Sequence, residues 1–227
     1  MRALLISLSA LAVFWLAGCK DEAQSKAASG GAAFDSPAGF HEVGTFVRDG
    51  ASGTYEVWGD LRALRSTASH TLGGNTFTNG FDGKTSWAVG PDGSVRKSDS
   101  SEALAQARLG TYLTIGGYFY PERFPARFVS VGRKQADGAD YDVVTVTPAD
   151  APSIDLWLDG ETHRLLRITG TVGTTSFSGV VKRYQIVDGV WIGFSLEQSE
   201  GEHRLTNELT SFVFLAVPPE KFSPPSS

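Results

Sequence analysis

Four histidines, a group of carboxylates, two serines beside a glycine and one cysteine are the residues here that could do covalent, acid–base or metal chemistry. His41, His70, His163 and His203 stand far apart, without the i, i+4 pairing or H-x-E-x-H spacing that converges on a metal ion. His163 and the Glu202-His203 pair fall in turn-forming stretches, where a solvated side chain is the expected role. Ser176 and Ser178 lie near Gly179, but the pattern around them is strand-like and lacks the G-x-S-x-G turn that exposes a nucleophile. There is no phosphate loop and no G-x-G-x-x-G fingerprint. Glu197, Glu200, Glu202 and Glu208 cluster in sequence, and rim charges on a hairpin account for them by protecting an edge. Nucleophile, base and orienting group cannot be named together. No catalytic residue, metal site or cofactor is therefore expected, and the chain reads as a non-enzyme.

The cysteine stands apart because of its neighbours. Arg2 is followed by Ala3 to Ala17, which is almost wholly apolar. That run of about 15 residues is shorter than the roughly 20 a membrane-spanning helix needs, so residues 1–18 read as a secretory signal peptide. It ends in Leu16-Ala17-Gly18-Cys19, which resembles the lipobox of bacterial lipoproteins. The resemblance implies cleavage before Cys19, diacylation of its thiol with palmitate-like chains, and acylation of the new amino terminus. Three acyl chains exceed the two-signal threshold for stable attachment, each buried methylene contributing about 0.8 kcal/mol. An acylated Cys19 leaves no free thiol, which removes disulfides and thiol chemistry. Position 20 is Lys rather than Asp. In Gram-negative lipoproteins that implies sorting to the outer membrane, on its periplasmic face. Residues 19–34, rich in Ala, Ser and Gly, are expected to be the lipidated cysteine and a flexible tether.

Residues 35–227 are then a single domain of a size one core can serve. The chain is 41% hydrophobic with 26 Gly, enough for a core and many turns. Its formal charge of −5 argues against a nucleic-acid partner. Six Asp-Gly pairs, at 49, 82, 92, 137, 159 and 188, and Asn79-Gly80 are turn signals of the hairpin type. Between them lie segments rich in β-branched and aromatic residues. In "VWIGFSLE", Val190, Ile192, Phe194 and Leu196 share one face, the period-2 pattern of a half-buried strand. Strands are expected at Gly53 to Trp58, Leu61 to His70, Gly74 to Asn79, Thr85 to Val89, Tyr141 to Thr147, Ile154 to Leu158, Arg164 to Thr169, Thr175 to Val187, from Val190, and at Arg204 to Phe214. Short connections make the C-terminal half an antiparallel meander. Asp99 with Glu102 has the form of a capping box before a helix, and a weaker helix is expected over Ser36 to Val47.

In order along the chain stand "FDGKTSW" (from Phe81), "YDVVTVTP" (from Tyr141), "IDLWLDGETHRLLRI" (from Ile154) and "RYQIVDGVWI" (from Arg183). This series is similar to the LolA-like domains of outer-membrane lipoprotein-sorting proteins, and to the LolA-like segment preceding some bacterial aspartic-protease domains. The likeness covers about residues 35–225, including the closing "PPEKFSPP". It implies an α+β, mainly β fold: a curved antiparallel sheet or half-open β-barrel, with one or two helices covering a concave face that accepts acyl chains. No protease activity carries over, because the chain has neither Asp-Thr-Gly nor Asp-Ser-Gly.

Ligand-binding residues are expected in the aromatic segment Leu113 to Phe128, at Tyr118, Phe119, Tyr120 and Phe124, and on a strand at Leu156 and Leu158. The glycines and prolines of that segment forbid a long helix. Its aromatics either plug the open end of the sheet or form a movable lid over it. Trp157 falls on the opposite strand face from Leu156 and Leu158, the outer, half-wet side. Two functions follow. One is an outer-membrane-anchored periplasmic lipoprotein that binds an acyl chain or other lipid. The other is a non-catalytic interaction module with a filled core that meets an envelope protein partner.

Overall fold

Apolar–polar alternation, cut at short intervals by turn pairs, folds into thirteen antiparallel strands; the computed structural model describes residues 23–225. In chain order they are β1 (Gly39–Arg48), β2 (Ala51–Asp60), β3 (Arg65–Leu72), β4 (Asn75–Phe81), β5 (Ser86–Val89) and β6 (Val95–Ser98), then β7 (Ala126–Ala136), β8 (Ala139–Pro148), β9 (Ile154–Asp159), β10 (Leu165–Val172), β11 (Thr175–Val187), β12 (Val190–Glu200) and β13 (His203–Phe214). Residues 23–29 form helix α1, and Ser101–Thr114 form helix α2.

The strand order is β6-β5-β4-β3-β2-β1-β13-β12-β11-β10-β9-β8-β7. Each strand pairs with its neighbour in sequence, except that β1 pairs with β13 and so joins the two halves of the chain. β6 and β7 remain as edges, so the sheet is curved but not closed. The connection between these edges carries α2 and a 3₁₀ turn at Gly117–Phe119. Register shifts at Val43/Gly44, Ser130/Gly132, Leu165/Arg167 and Val181/Arg183 are the bulges that bend such a sheet. The fold is the expected mainly β, α+β half-barrel with helices over its concave face.

Turn chemistry explains the hairpins. Asp49-Gly50, Asp137-Gly138 and Asp188-Gly189 each place two residues at positive φ, the type I′ requirement. At Asp159 the carboxylate instead accepts the N–H groups of Glu161 and Thr162. Asn79-Gly80 departs from expectation and lies inside β4. Gly80 is there because the Trp87 ring lies where a Cβ would stand.

Three other expectations change. Ser36 to Val47 is not a helix: β1 occupies it, with Phe40, Glu42, Gly44 and Phe46 on one face. A Cβ on Gly44 would come within 2.5 Å of the Glu208 carbonyl oxygen and the Tyr55 ring, so this glycine serves close strand packing. The N-cap of α2 is Ser100 rather than Asp99, its hydroxyl accepting the Ala103 N–H. The irregular segment is shorter than Leu113 to Phe128, since α2 runs to Thr114 and β7 begins at Ala126.

Part of the expected tether is ordered. In α1, Ser25 and Ser29 are buried. Their i, i+4 spacing puts two small side chains on one helix face, which lets the helix approach the body closely. A 3₁₀ turn at Gly31–Phe34 follows and buries Phe34. Cys19, Lys20 and the signal segment lie outside the described residues.

Candidate ligand cavity

One continuous hydrophobic cluster fills the interior of the curve, contributed by β1, β2, β8, β9, β12 and β13 together with α2. Beside it the concave face leaves a cavity of about 790 Å³, within the 300–1,000 Å³ range of small-molecule sites. β1, β11, β12 and β13 form its floor, with Phe40, Val181, Ile192, Leu196, Leu205 and Phe212 among the apolar side chains. Leu109, Gly110 and Leu113 of α2 form one wall.

The two ends of the cavity differ. At one end Phe34 lies against Phe119, ring centres 4.6 Å apart, and edge-on to Tyr120. Tyr118 packs edge-on to Phe119 at 4.6 Å. Arg123 sits over the Tyr120 ring and donates to the backbone carbonyls of Leu61 and Asp35. Lys26 of α1 pairs with Asp35 at 2.7 Å and lies over the same ring. Burial pushes the Tyr118 and Tyr120 phenols well above their ordinary values. This end is therefore closed by an aromatic plug clamped under the N-terminal segment. At the other end Arg48, Thr175, Glu200 and His203, at the strand ends, line the cavity. His203 pairs with Asp49 at 2.7 Å.

Three of the expected ligand residues, Tyr118, Phe119 and Tyr120, line the cavity. Phe124, Leu156 and Leu158 do not. They are buried in the core cluster, because Phe124 turns in edge-on to Tyr120 and β9 is covered along its inner face. Trp157 lies on the outer face as expected, donating to the Thr169 hydroxyl at 3.0 Å.

Sequence reasoning missed β1 as a floor strand and, with it, Glu42. Its carboxylate faces the cavity between Val57 and Phe212 in the ladder. Burial among apolar neighbours pushes this carboxyl up to about 7. The alternation Phe40, Glu42, Gly44, Phe46 was the available signal. On the opposite face of β1 and β2, His41 stacks on Trp58 with ring centres 3.8 Å apart, and both donate to or share Glu56. Among the described residues no group of three or more His, Cys, Asp or Glu could hold a metal ion.

No family model matches the chain, and no curated protein does. Solved structures do. A domain described as an outer membrane lipoprotein-sorting protein from Vibrio parahaemolyticus is 13% identical, with a TM-score of 0.60 over 91% of this chain and 96% of its own. A LolA superfamily protein from Nitrosomonas europaea is 12% identical, with a TM-score of 0.61 over 91% and 97%. A DUF1329 family protein from Desulfovibrio piger is 12% identical, with a TM-score of 0.59 over 92% and 97%. At these identities the likeness is one of fold. The chain shares the half-open antiparallel sheet fold of these three structures.

Proposed function

We propose that this chain is a lipid-anchored envelope protein that shelters an acyl chain or similar apolar ligand on the concave face of its sheet. The observation that carries the reading is the cavity of about 790 Å³ with its apolar floor. A protein whose role was interaction alone would be expected to fill this space with side chains, as cores normally are. The lipobox-like Cys19 supplies the anchor, and Lys20 favours the periplasmic face of the outer membrane. No helix among the described residues is long and apolar enough to cross a membrane, which is compatible with attachment through acyl chains. The chain's role is binding rather than catalysis.

The test is mass spectrometry of lipid extracts from the chain of residues 20–227. The thirteen strands, both helices and the core cluster all lie within it. A co-purifying lipid near one per chain is expected. Recovery of a bare protein that also fails to take up added fatty acid would overturn the reading.

A further inference from the structure

The polar side chains of the floor are neutral along most of its length, among them Ser178, Gln198 and Asn207, and Glu42 is the one carboxylate set away from the strand ends. Glu42 projects from β1 with Phe40 two residues before it and Gly44 two after, opposite Val57 on β2 and Phe212 on β13. Phe40 and Phe212 stack with ring centres 5.1 Å apart and 16° between their planes. Tyr55, diagonally across on β2, is the ionisable group whose phenol feels the Glu42 charge. The other charged lining groups lie elsewhere. Arg48, Glu200 and His203 are at the far end, and Arg48 is six residues along β1, about 20 Å at strand rise. Arg167 turns to Asp137 and Trp157 on the outer side. His70, beyond Tyr55 on β3, is held below its ordinary value by burial. Among the described residues no cation pairs with Glu42, which is half-buried, and a partly desolvated carboxylate without a counter-charge is costly. A fold under no other demand would place Val or Leu here.

We propose that Glu42 is the headgroup-recognition residue of the cavity, and that the ligand is an amphiphile carrying a primary ammonium beside its alkyl chain. The carboxylate supplies the counter-charge and hydrogen-bond acceptors. The stacked Phe40–Phe212 pair supplies aromatic surface, which attracts cations as well as alkyl groups. The stretch of floor toward Arg48 takes the chain. This inference rests on the carrier reading above and specifies its ligand class. Both a simple alkylamine and an aminophospholipid headgroup present this chemistry.

The experiment is a calorimetric titration of residues 20–227, wild type and Glu42→Gln, with dodecylamine, 1-dodecanol and sodium dodecanoate below their aggregation limits. Wild type is expected to prefer dodecylamine over dodecanol by about tenfold at pH 8, with about tenfold weaker amine binding at pH 6 as the carboxylate takes up a proton. Glu42→Gln should lose the amine preference and its pH dependence while keeping its affinity for dodecanol. A parallel titration with lauroyl lysophosphatidylethanolamine separates the two sources, the tighter of the two amines naming which one the site fits. Equal binding of the three head groups by wild type, or an amine preference that survives in Glu42→Gln, would overturn the assignment of Glu42 and leave the carrier reading standing. Failure of every alkyl chain to bind would overturn both.

Discussion

Glu42 also leaves a mark on stability that needs no ligand. Its carboxyl is raised in the folded chain to about 7 from an ordinary value of 4.5. Its contribution is therefore fully present below about pH 4.5 and is lost as the pH climbs through 7. The slope is at most about 1.4 kcal/mol per pH unit, and it flattens above 7. Urea unfolding of wild type and Glu42→Gln at pH 5, 6, 7 and 8 checks this. The wild type should lose stability relative to the variant up to pH 7 and hold a constant difference above. A difference that does not change with pH would contradict it. At this scale the sequence was partly legible. Tyr118, Phe119 and Tyr120 announce themselves because three consecutive aromatics cannot all be hidden in a regular element. Leu156 and Leu158 have the right face but the wrong place, because the face of a strand does not say which stretch of a sheet is covered by something else. Phe124 is of the same kind.

Among elements, the N-terminal segment departs most from what composition suggests. A stretch of Ala, Ser, Gly and Lys without large apolar residues carries no hydrophobic period. It folds because Ala favours helix, small serines allow close approach, and Phe34 fills the gap beside Phe119. β1 was hidden for a different reason: Gly39 and Gly44 interrupt its apolar alternation, because each faces backbone that a Cβ would strike. β6 and β7 are edge strands with little apolar alternation, so pattern alone does not find them. The hairpins from β8 to β13 were legible because strand faces and Asp-Gly turns agree there. The segment's order has a consequence. Phe34→Ala removes the aromatic contact that closes one end of the cavity, and truncating a buried Phe costs about 3–5 kcal/mol. The loss should appear as faster amide hydrogen exchange in residues 23–34, with β8 to β10 unchanged. Equal exchange of residues 23–34 in wild type and Phe34→Ala would show that the segment is not held by this contact.

At the scale of the whole molecule, the N-terminal segment and the aromatic plug stand at one end of the half-barrel and the charged strand ends at the other, so the anchor proposed at Cys19 would attach the body at its plugged end. Composition, turn rhythm and motif order made the fold legible, since a meander of short antiparallel strands leaves few ways to connect. The cavity was not legible, because openness depends on how far helix and sheet stand apart, which no residue pattern encodes. Ordering of residues 23–34 also shortens the reach of the proposed tether to the few residues between Cys19 and α1, so the body would sit against the membrane rather than hover above it. Carriage on the concave face remains the claim on which the rest depends. A titration of residues 20–227 with a fluorescent fatty acid tests it most directly. The expected result is saturable binding of one probe per chain, displaced by unlabelled amphiphile, with a blue-shifted emission. A signal that rises without saturation, or no signal at all, would contradict it.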